Sequence, residues 1–138
     1  MELTLTDNVE AEGCVRVSYG TAVFATLTVR RDIHGVIMGA LAFGVPEQLR
    51  GKGLATDAVR MVIAYGFARH GLNYAEDIIA RVNTTARHVL EKNGFQETTR
   101  DVGLERLGLY GGEGDLRFTL RDVEHRRFLK SGIVTDET

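Results

Sequence analysis

Alternating apolar and polar residues predict strands in the first third of the chain. The alternation runs through three segments: Glu2–Thr6, Cys14–Tyr19 and Val23–Val29. It is typical of strands with one buried face, and the Gly20-Thr21 pair between the last two segments predicts a hairpin. The next segment, Gly35–Val45, is apolar throughout. Because a strand without alternation is typically covered on both faces, this segment is predicted to be a central strand.

After Pro46 the apolar spacing changes from that of a strand to that of a helix. Residues 47–53 form a glycine-containing loop, and from Leu54 the apolar positions recur every three or four residues. This spacing predicts an amphipathic helix of about four turns. Gly71 follows at the place where a helix-terminating glycine is expected.

The second half of the chain predicts two further strands and a short helix. Asp77–Val82 is predicted to be a strand. A second helix is predicted to begin at a cap, Asn83 or Thr84, and to end before Gly94. Leu116–Leu120 alternates as a last strand would.

The order of these elements predicts one mixed α/β domain over residues 1–138, with helices packed on a sheet. Its parts are a strand-rich front (1–34), a core (35–95), C-terminal strands (96–120) and a tail (121–138). Residues 98–114 have no clear pattern. The tail is charged and is expected to fray.

Composition narrows the classes of function. Of 138 residues, 17 are Lys or Arg and 19 are Asp or Glu, for a net charge of −2. This near-neutral charge argues against nucleic acid or a membrane surface as a partner. The longest apolar run, Val36–Val45, is shorter than the span of about 20 residues that a bilayer needs. No signal peptide is evident, so a cytoplasmic location is expected. Cys14 is the single cysteine and the four histidines are scattered, so no metal is expected.

The most informative feature is the loop Arg50-Gly51-Lys52-Gly53, which joins the predicted central strand to the first predicted helix. The start of a helix exposes N–H groups without intrahelical partners, and the helix dipole favours an anion there. Glycines let the backbone approach phosphate oxygens closely, and Arg50 and Lys52 add positive charge. The loop alone fits a phosphate site and a plain helix start with solvated basic residues equally well.

Two blocks of the sequence resemble those of the GCN5-related N-acetyltransferases (GNAT). Residues 50–55 (RGKGLA) match the family's pyrophosphate signature, Arg/Gln-x-x-Gly-x-Gly/Ala. Residues 83–86 (NTTA) and 90–95 (LEKNGF) are similar to its second block, an asparagine followed by a short helix. The resemblance covers roughly residues 35 to 120 and is closest to the ribosomal-protein N-terminal acetyltransferases. It implies a GNAT-like fold with a largely antiparallel mixed sheet.

The resemblance also implies a binding site for acetyl-CoA as co-substrate, without a metal. The loop amides would hold the pyrophosphate, and the end of the central strand would pair with the pantetheine arm. The Val45 amide would polarise the thioester carbonyl as an oxyanion donor. Asn83 would bond the arm as well as cap its helix. The implied site residues are Phe43, Gly44, Val45, Arg50, Gly51, Lys52, Gly53, Leu54, Ala55, Thr56 and Asn83.

This sequence differs from the family at the positions where many members carry the side chains that act as general acid and general base. Leu90 stands at the position of a tyrosine acid, Ala86 at that of a serine and Ile78 at that of a glutamate base. No side-chain acid or base is therefore assigned. At pH 7 roughly a tenth to a fifth of an α-amine is neutral, against well under about one in a thousand of a lysine. A site without a base therefore suits an α-amine or another weakly basic amine.

Two functions remain open at this point. One is an N-acetyltransferase that acts on an amine-bearing small molecule or a polypeptide N-terminus. The other is a non-catalytic CoA-binding or assembly protein.

The strand-rich front is also short compared with the family. Family members usually place two helices before the central strand, and here only Asn8–Gly13 could hold a helical turn. The resemblance thus implies a wide acceptor groove, which a large substrate or the second subunit of a homodimer would fill.

Overall fold

The structure, a computed structural model, describes residues 2–7, 13–98 and 115–136. Seven strands form one sheet in this part of the chain: β1 (Leu3–Asp7), β2 (Cys14–Tyr19), β3 (Ala22–Arg31), β4 (Ile37–Phe43), β5 (Tyr74–Ala80), β6 (Gln96–Glu97) and β7 (Asp115–Arg121). The helices described are α1 (Leu54–His70), α2 (Thr84–Lys92) and α3 (Asp122–Asp136), and a short 3-10 helix (Glu47–Leu49) precedes α1.

The strands lie in the order β1-β2-β3-β4-β5-β7-β6. Only the β4–β5 pair is parallel among the strands described, and the other neighbours are antiparallel. The predicted mixed, largely antiparallel α/β fold is confirmed, and so is the hairpin of β2 and β3 around Gly20. Residues 8–12, where a helical turn was an alternative, and residues 99–114 lie outside the described residues. No helix in the described part is long and apolar enough to cross a membrane.

Strand β4 is central, but the expectation that both of its faces are covered is wrong. Gly39 and Leu41 are buried in the core, whereas Ala42 on the opposite face is exposed. That opposite face carries Met38, Ala40 and Ala42, of which the two alanines are apolar but expose little surface when uncovered. An uninterrupted apolar run therefore does not by itself show that a strand is covered twice.

Strand β5 begins at Tyr74 and ends at Ala80, earlier than the predicted Asp77–Val82. Its start is fixed by Asn73, whose N–H donates to the Ile37 carbonyl at 2.8 Å and whose Oδ1 accepts from the Ile37 N–H at 2.8 Å. These bonds join positions far apart in sequence. The local pattern of residues therefore could not show where the strand starts.

Helix α1 follows the prediction and ends at Gly71, which has a φ of 63°. It packs against β2 and β3 and buries Val59, Val62 and Gly66. A Cβ at Gly66 would collide with the Leu27 side chain of β3. The missing side chain therefore lets the helix lie close to the sheet, which sets the position of its N-terminal end beside β4.

The tail, expected to fray, forms helix α3 and docks on the core. His125 is 6% exposed, and its ring stacks on Phe67 of α1 with the centroids 4.5 Å apart. Phe128 lies against Gly94. The Glu124 carboxylate accepts from the Arg121 N–H at 2.8 Å at the start of the helix. The charged composition of the tail led to the expectation that it frays. The tail also contains two aromatic rings, and these bury one face of the helix.

The docking of α3 is expected to weaken in acid. Burial holds the pKa of His125 below its ordinary value, against an opposing effect of Asp122. Below a pH of about 6.5 the unfolded chain therefore binds a proton that the folded chain resists, so stability falls as the pH is lowered. His125→Phe keeps a ring for Phe67 but has no charge. Urea unfolding between pH 5 and 8 should show a smaller acid loss for this variant than for the wild type. Equal losses would contradict the expectation.

Candidate active site

A cleft opens beside the end of β4, beyond the point where the two parallel strands separate. β4 and β5 are paired only over Met38–Ala40 and Tyr74–Glu76, and beyond these residues each strand continues beside its other neighbour. Ligands commonly bind outside the carboxyl ends of parallel strands. The cleft has a volume of about 530 Å³ and is lined by Phe43, Gly44, Val45, Leu49, Arg50, Gly51, Gly53, Leu54, Ala55, Thr56, Asn83, Thr85, Ala86, His88, Val89 and Lys92.

The end of β4 forms one wall of the cleft. The Gly44 N–H donates to the Phe24 carbonyl of β3 at 2.9 Å. Backbone groups alternate in direction along a strand, so the Val45 N–H points away from β3, toward the gap. It has no acceptor among the described residues. The Val45 carbonyl accepts from Arg50 Nε at 3.1 Å, which folds the loop back against the strand.

The glycine loop and the start of α1 form the second wall. Gly51 and Gly53 have φ values of 81° and 75°, in the left-handed region that favours glycine. Gly53 is the N-cap, and no side chain caps the helix. The first helical bond runs from the Asp57 N–H to the Gly53 carbonyl at 3.0 Å. Among the described residues the N–H groups of residues 54–56 thus have no acceptor, and together with the helix dipole they can bind an anion.

Helix α2 forms the third wall. Asn83 is its N-cap, and the Asn83 Oδ1 accepts from the Ala86 N–H at 3.0 Å. The capping role proposed from the sequence is thus present. It uses only the oxygen of the amide, so Nδ2 can donate to a ligand in the cleft. The cleft-lining side chains further along α2 are Thr85, His88, Val89 and Lys92.

Asn93 joins the second and third walls, a role that the sequence did not reveal. It is 2% exposed, and its Nδ2 donates to the Val89 carbonyl at 2.9 Å and to the Thr56 carbonyl at 3.3 Å. The first turn of α1 is therefore tied to the end of α2. The only signal in the sequence was an asparagine before Gly94, which is equally typical of an exposed helix end.

Asn93→Ala is expected to cost about 1–3 kcal/mol of stability, because one buried and one part-buried hydrogen bond are lost. It should also weaken CoA binding, because the two helical walls are no longer tied together. Calorimetric titration with CoA and urea unfolding measure the two effects. Asn73→Ala is the control, since it removes a bond to the Ile37 N–H away from the cleft. A CoA affinity lowered equally in both variants would contradict the role given to Asn93.

All the binding residues implied by the resemblance line the cleft except Lys52, which is exposed beside it. Among the described residues, the positively charged ones that line the cleft are Arg50 and Lys92, and none of the lining residues is an aspartate or glutamate. Residues from two blocks that are far apart in the sequence therefore lie together in the cleft. The charge of the lining suits an anionic ligand.

The positions of the missing acid and base lie away from the cleft or carry no suitable group. Leu90 is fully buried in the core, and Ala86 is 8% exposed. Asp77 has a pKa raised to about 7, chiefly by burial and also by the charge of Glu76, while a backbone hydrogen bond from Ile78 opposes the shift. A carboxyl with such a pKa could act as a general base. However, Asp77 is paired with the buried Phe118, on the helix-covered face, and does not line the cleft.

The mixed, largely antiparallel sheet with packed helices agrees with the GNAT-like acyltransferase fold that the resemblance implies. The sequence profile of the acetyltransferase (GNAT) domain matches residues 11–96. The chain therefore belongs to the GNAT acetyltransferase family. No curated protein matches the chain in sequence.

Solved structures of acetyltransferases share the fold. RimJ of Mycobacterium smegmatis, in complex with CoA-disulfide, is 19% identical, with a TM-score of 0.61 over 86% of this chain and 59% of its own. The ribosomal-protein-S5-alanine acetyltransferase of Vibrio fischeri is 17% identical, with a TM-score of 0.57 over 79% of this chain and 61% of its own. A probable acetyltransferase is 23% identical, with a TM-score of 0.58 over 80% and 62%. The chain thus spans about three-fifths of the length of these proteins.

Proposed function

We propose that this chain is an acetyl-CoA-dependent N-acetyltransferase whose acceptor is an α-amine or another weakly basic primary amine. The observation that carries the proposal is the cleft between the end of β4, the start of α1 and α2, where the Val45 N–H and the first N–H groups of α1 lack partners among the described residues. Family membership supports acetyl-CoA as the anion that this cleft holds.

The residues of the cleft fit acetyl-CoA in charge, shape and hydrogen bonding. The amides of residues 54–56 suit a diphosphate, and no acidic side chain in the described part of the chain lines the cleft to repel it. The free edge of β4 at Phe43–Val45 suits the amide groups of an extended arm, as an added strand would. Asn83 also lines the cleft, and its Nδ2 is available to donate to a ligand.

The protein contributes positioning and electrostatic stabilisation to this reaction. Acetyl-CoA supplies the activated acetyl group as a thioester. The Val45 N–H is placed to donate to a thioester carbonyl and to the oxyanion that develops from it. Holding the amine against the thioester converts an encounter of two molecules into a local step. Among the described residues no carboxylate, tyrosine or cysteine lines the cleft to take the proton of the amine, and the lining histidine, His88, lies on α2 rather than on the wall formed by the end of β4, so we assign that step to water.

The absence of a carboxylate, tyrosine or cysteine among the described lining residues explains the choice of acceptor. Deprotonation at pH 7 costs about 1.1 kcal/mol for an α-amine with a pKa near 7.8, against about 4.6 kcal/mol for a lysine near 10.4. The test compares two matched sets of peptides as acceptors. The first set has a free α-amine and no lysine, and the second set has a blocked N-terminus and one lysine. Thiol release from acetyl-CoA should exceed the background rate only with the first set. Release with the second set alone would overturn the choice of acceptor.

A second candidate is a non-catalytic CoA-binding protein. The residues that favour it are Leu90, Ala86 and Ile78, which cannot act as an acid or base. Calorimetry separates the two functions, since both require CoA to bind. Binding of CoA without thiol release for any peptide, polyamine or small amine would establish the second candidate.

A further inference from the structure

We propose that Asn93 is a site of spontaneous deamidation, and that helix α3 limits its rate by packing Phe128 on Gly94. Residues 93 and 94 are the one Asn-Gly pair in the sequence. In this reaction the Gly94 nitrogen loses its proton and attacks the side-chain carbonyl carbon of Asn93, ammonia leaves, and a cyclic imide forms. Water then opens the imide to aspartate or isoaspartate. The chain and water are the only reactants, so the proposal does not depend on the proposed function.

The fold requires both members of this reactive pair. Asparagine before glycine is the most labile of such pairs, because glycine has no side chain to hinder the attack. Gly94 has a φ of 87°, and a Cβ there would lie 2.9 Å from the ring of Phe128. The Asn93 Nδ2 donates to the Val89 and Thr56 carbonyls at 2.9 Å and 3.3 Å, which ties α2 to α1. The labile pair therefore lies where neither residue can be exchanged without cost.

In the folded chain three hydrogen bonds oppose the reaction. The Gly94 N–H donates to the Glu91 carbonyl at 3.0 Å, so the attacking nitrogen is occupied. The Asn93 amide is 2% exposed and cannot turn toward that nitrogen while its own two bonds persist. The reaction therefore needs a local opening at the end of α2. Because opening is fast compared with this chemistry, the rate follows the population of the open form.

Helix α3 packs on this joint. Phe128 lies against Gly94, and His125 stacks on Phe67 of α1 with the centroids 4.5 Å apart. Loss of the Phe128 ring is therefore expected to free the backbone of Gly94 and to increase the open population. Leu129, the next residue of α3, is 39% exposed and provides a comparison on the same helix.

Deamidation would remove the tie between α2 and α1. An ionised carboxylate only accepts hydrogen bonds, so the new oxygen would face the Val89 and Thr56 carbonyls without a proton to share. Asn93→Asp reproduces the aspartate product. In urea unfolding it should be less stable than Asn93→Ala, which has no charge at this place. An Asn93→Asp protein as stable as the wild type would contradict this consequence.

The first test follows the folded and the urea-unfolded chain at mildly alkaline pH by peptide mass spectrometry. Conversion is expected at Asn93 and not at Asn73 or Asn83, whose following residues, tyrosine and threonine, hinder the attack. It should be roughly ten- to a hundredfold slower in the folded chain, because only the open form reacts. Equal rates in the two states, or a folded chain without conversion in an incubation that would detect a reaction about a hundredfold slower, would overturn the proposal.

The second test assigns the control of the rate to α3. Phe128→Ala should speed conversion of the folded chain about five- to tenfold. Leu129→Ala, an exposed site on the same helix, should leave the rate unchanged. Val15→Ala should also leave it unchanged, because it weakens the fully buried core at β2 without touching α3. Urea unfolding of each variant measures its overall stability. If either control speeds conversion as much as Phe128→Ala does, the role given to α3 is overturned.

Discussion

Replacing Gly53 by glutamate is expected to lower the affinity for CoA by at least about a hundredfold, or nearly 3 kcal/mol, and to remove acetyl transfer with it. The loss combines three effects at one position. The carboxylate repels the diphosphate, the side chain fills space beside the loop, and the loop itself is strained. Calorimetric titration with CoA measures the affinity, and thiol release measures the activity.

The strain follows from the backbone conformation. Gly53 has a φ of 75°, which costs a residue with a Cβ about 1–2 kcal/mol. A Cβ at this position would meet no protein atom within 4 Å, so the substitution crowds nothing in the protein itself. Most of the lost affinity is therefore expected to come from the carboxylate in the cleft rather than from unfolding.

Gly71→Glu is the matched control for this substitution. Gly71 also has a positive φ, 63°, and open space at its Cβ, but it follows the other end of the 17-residue helix α1. It should lose a similar amount of stability and keep its affinity for CoA. If the affinity for CoA falls equally in both variants, backbone strain alone explains the effect. If Gly53→Glu still binds CoA as the wild type does, the loop is not the diphosphate site.

The part of this site that could be predicted from the sequence depends on short-range patterns. A buried strand, two glycines and a helix start within one segment specify the loop from Arg50 to Thr56, because turn and helix geometry are set by neighbouring residues. The same holds for Asn83, which caps α2 as its position before an amphipathic segment indicates. Two such local features, placed in the family order, were sufficient to predict one cleft.

The part that could not be predicted depends on contacts between distant residues. Nothing near Asn93 in the sequence shows that its amide reaches the Thr56 carbonyl. Likewise the charged tail gives no sign that His125 will stack on Phe67, so the helix was expected to fray. The start of β5 is set by Asn73 against Ile37, across a separation of 36 residues. In each case the partner is brought near only by the complete fold.

Asp77→Asn is expected to stabilise the protein at pH 8 by on the order of 2–4 kcal/mol and to leave acetyl transfer within a few-fold of the wild type. In the folded chain burial raises the pKa of Asp77 from 3.8 to about 7. Between these two values the folded state binds the proton more tightly than the unfolded state. The contribution of Asp77 to stability is therefore largest below pH 4 and is lost as the pH rises to 7. Asparagine has no charge to bury, so it removes this loss.

The same variant tests whether Asp77 is a catalytic base. Its pKa would suit that role, but its pairing with Phe118 places it on the helix-covered face, and it does not line the cleft. Urea unfolding from pH 4 to 8 and thiol release with an α-amine peptide provide the two readouts, with Glu91→Gln as the control for one lost negative charge. The exposed Glu91 should change neither. An Asp77→Asn protein that is more stable but inactive would place the catalytic base on β5, because a stabilised fold cannot explain the loss of the reaction. The proton of the amine would then leave through the Asp77 carboxyl rather than through water.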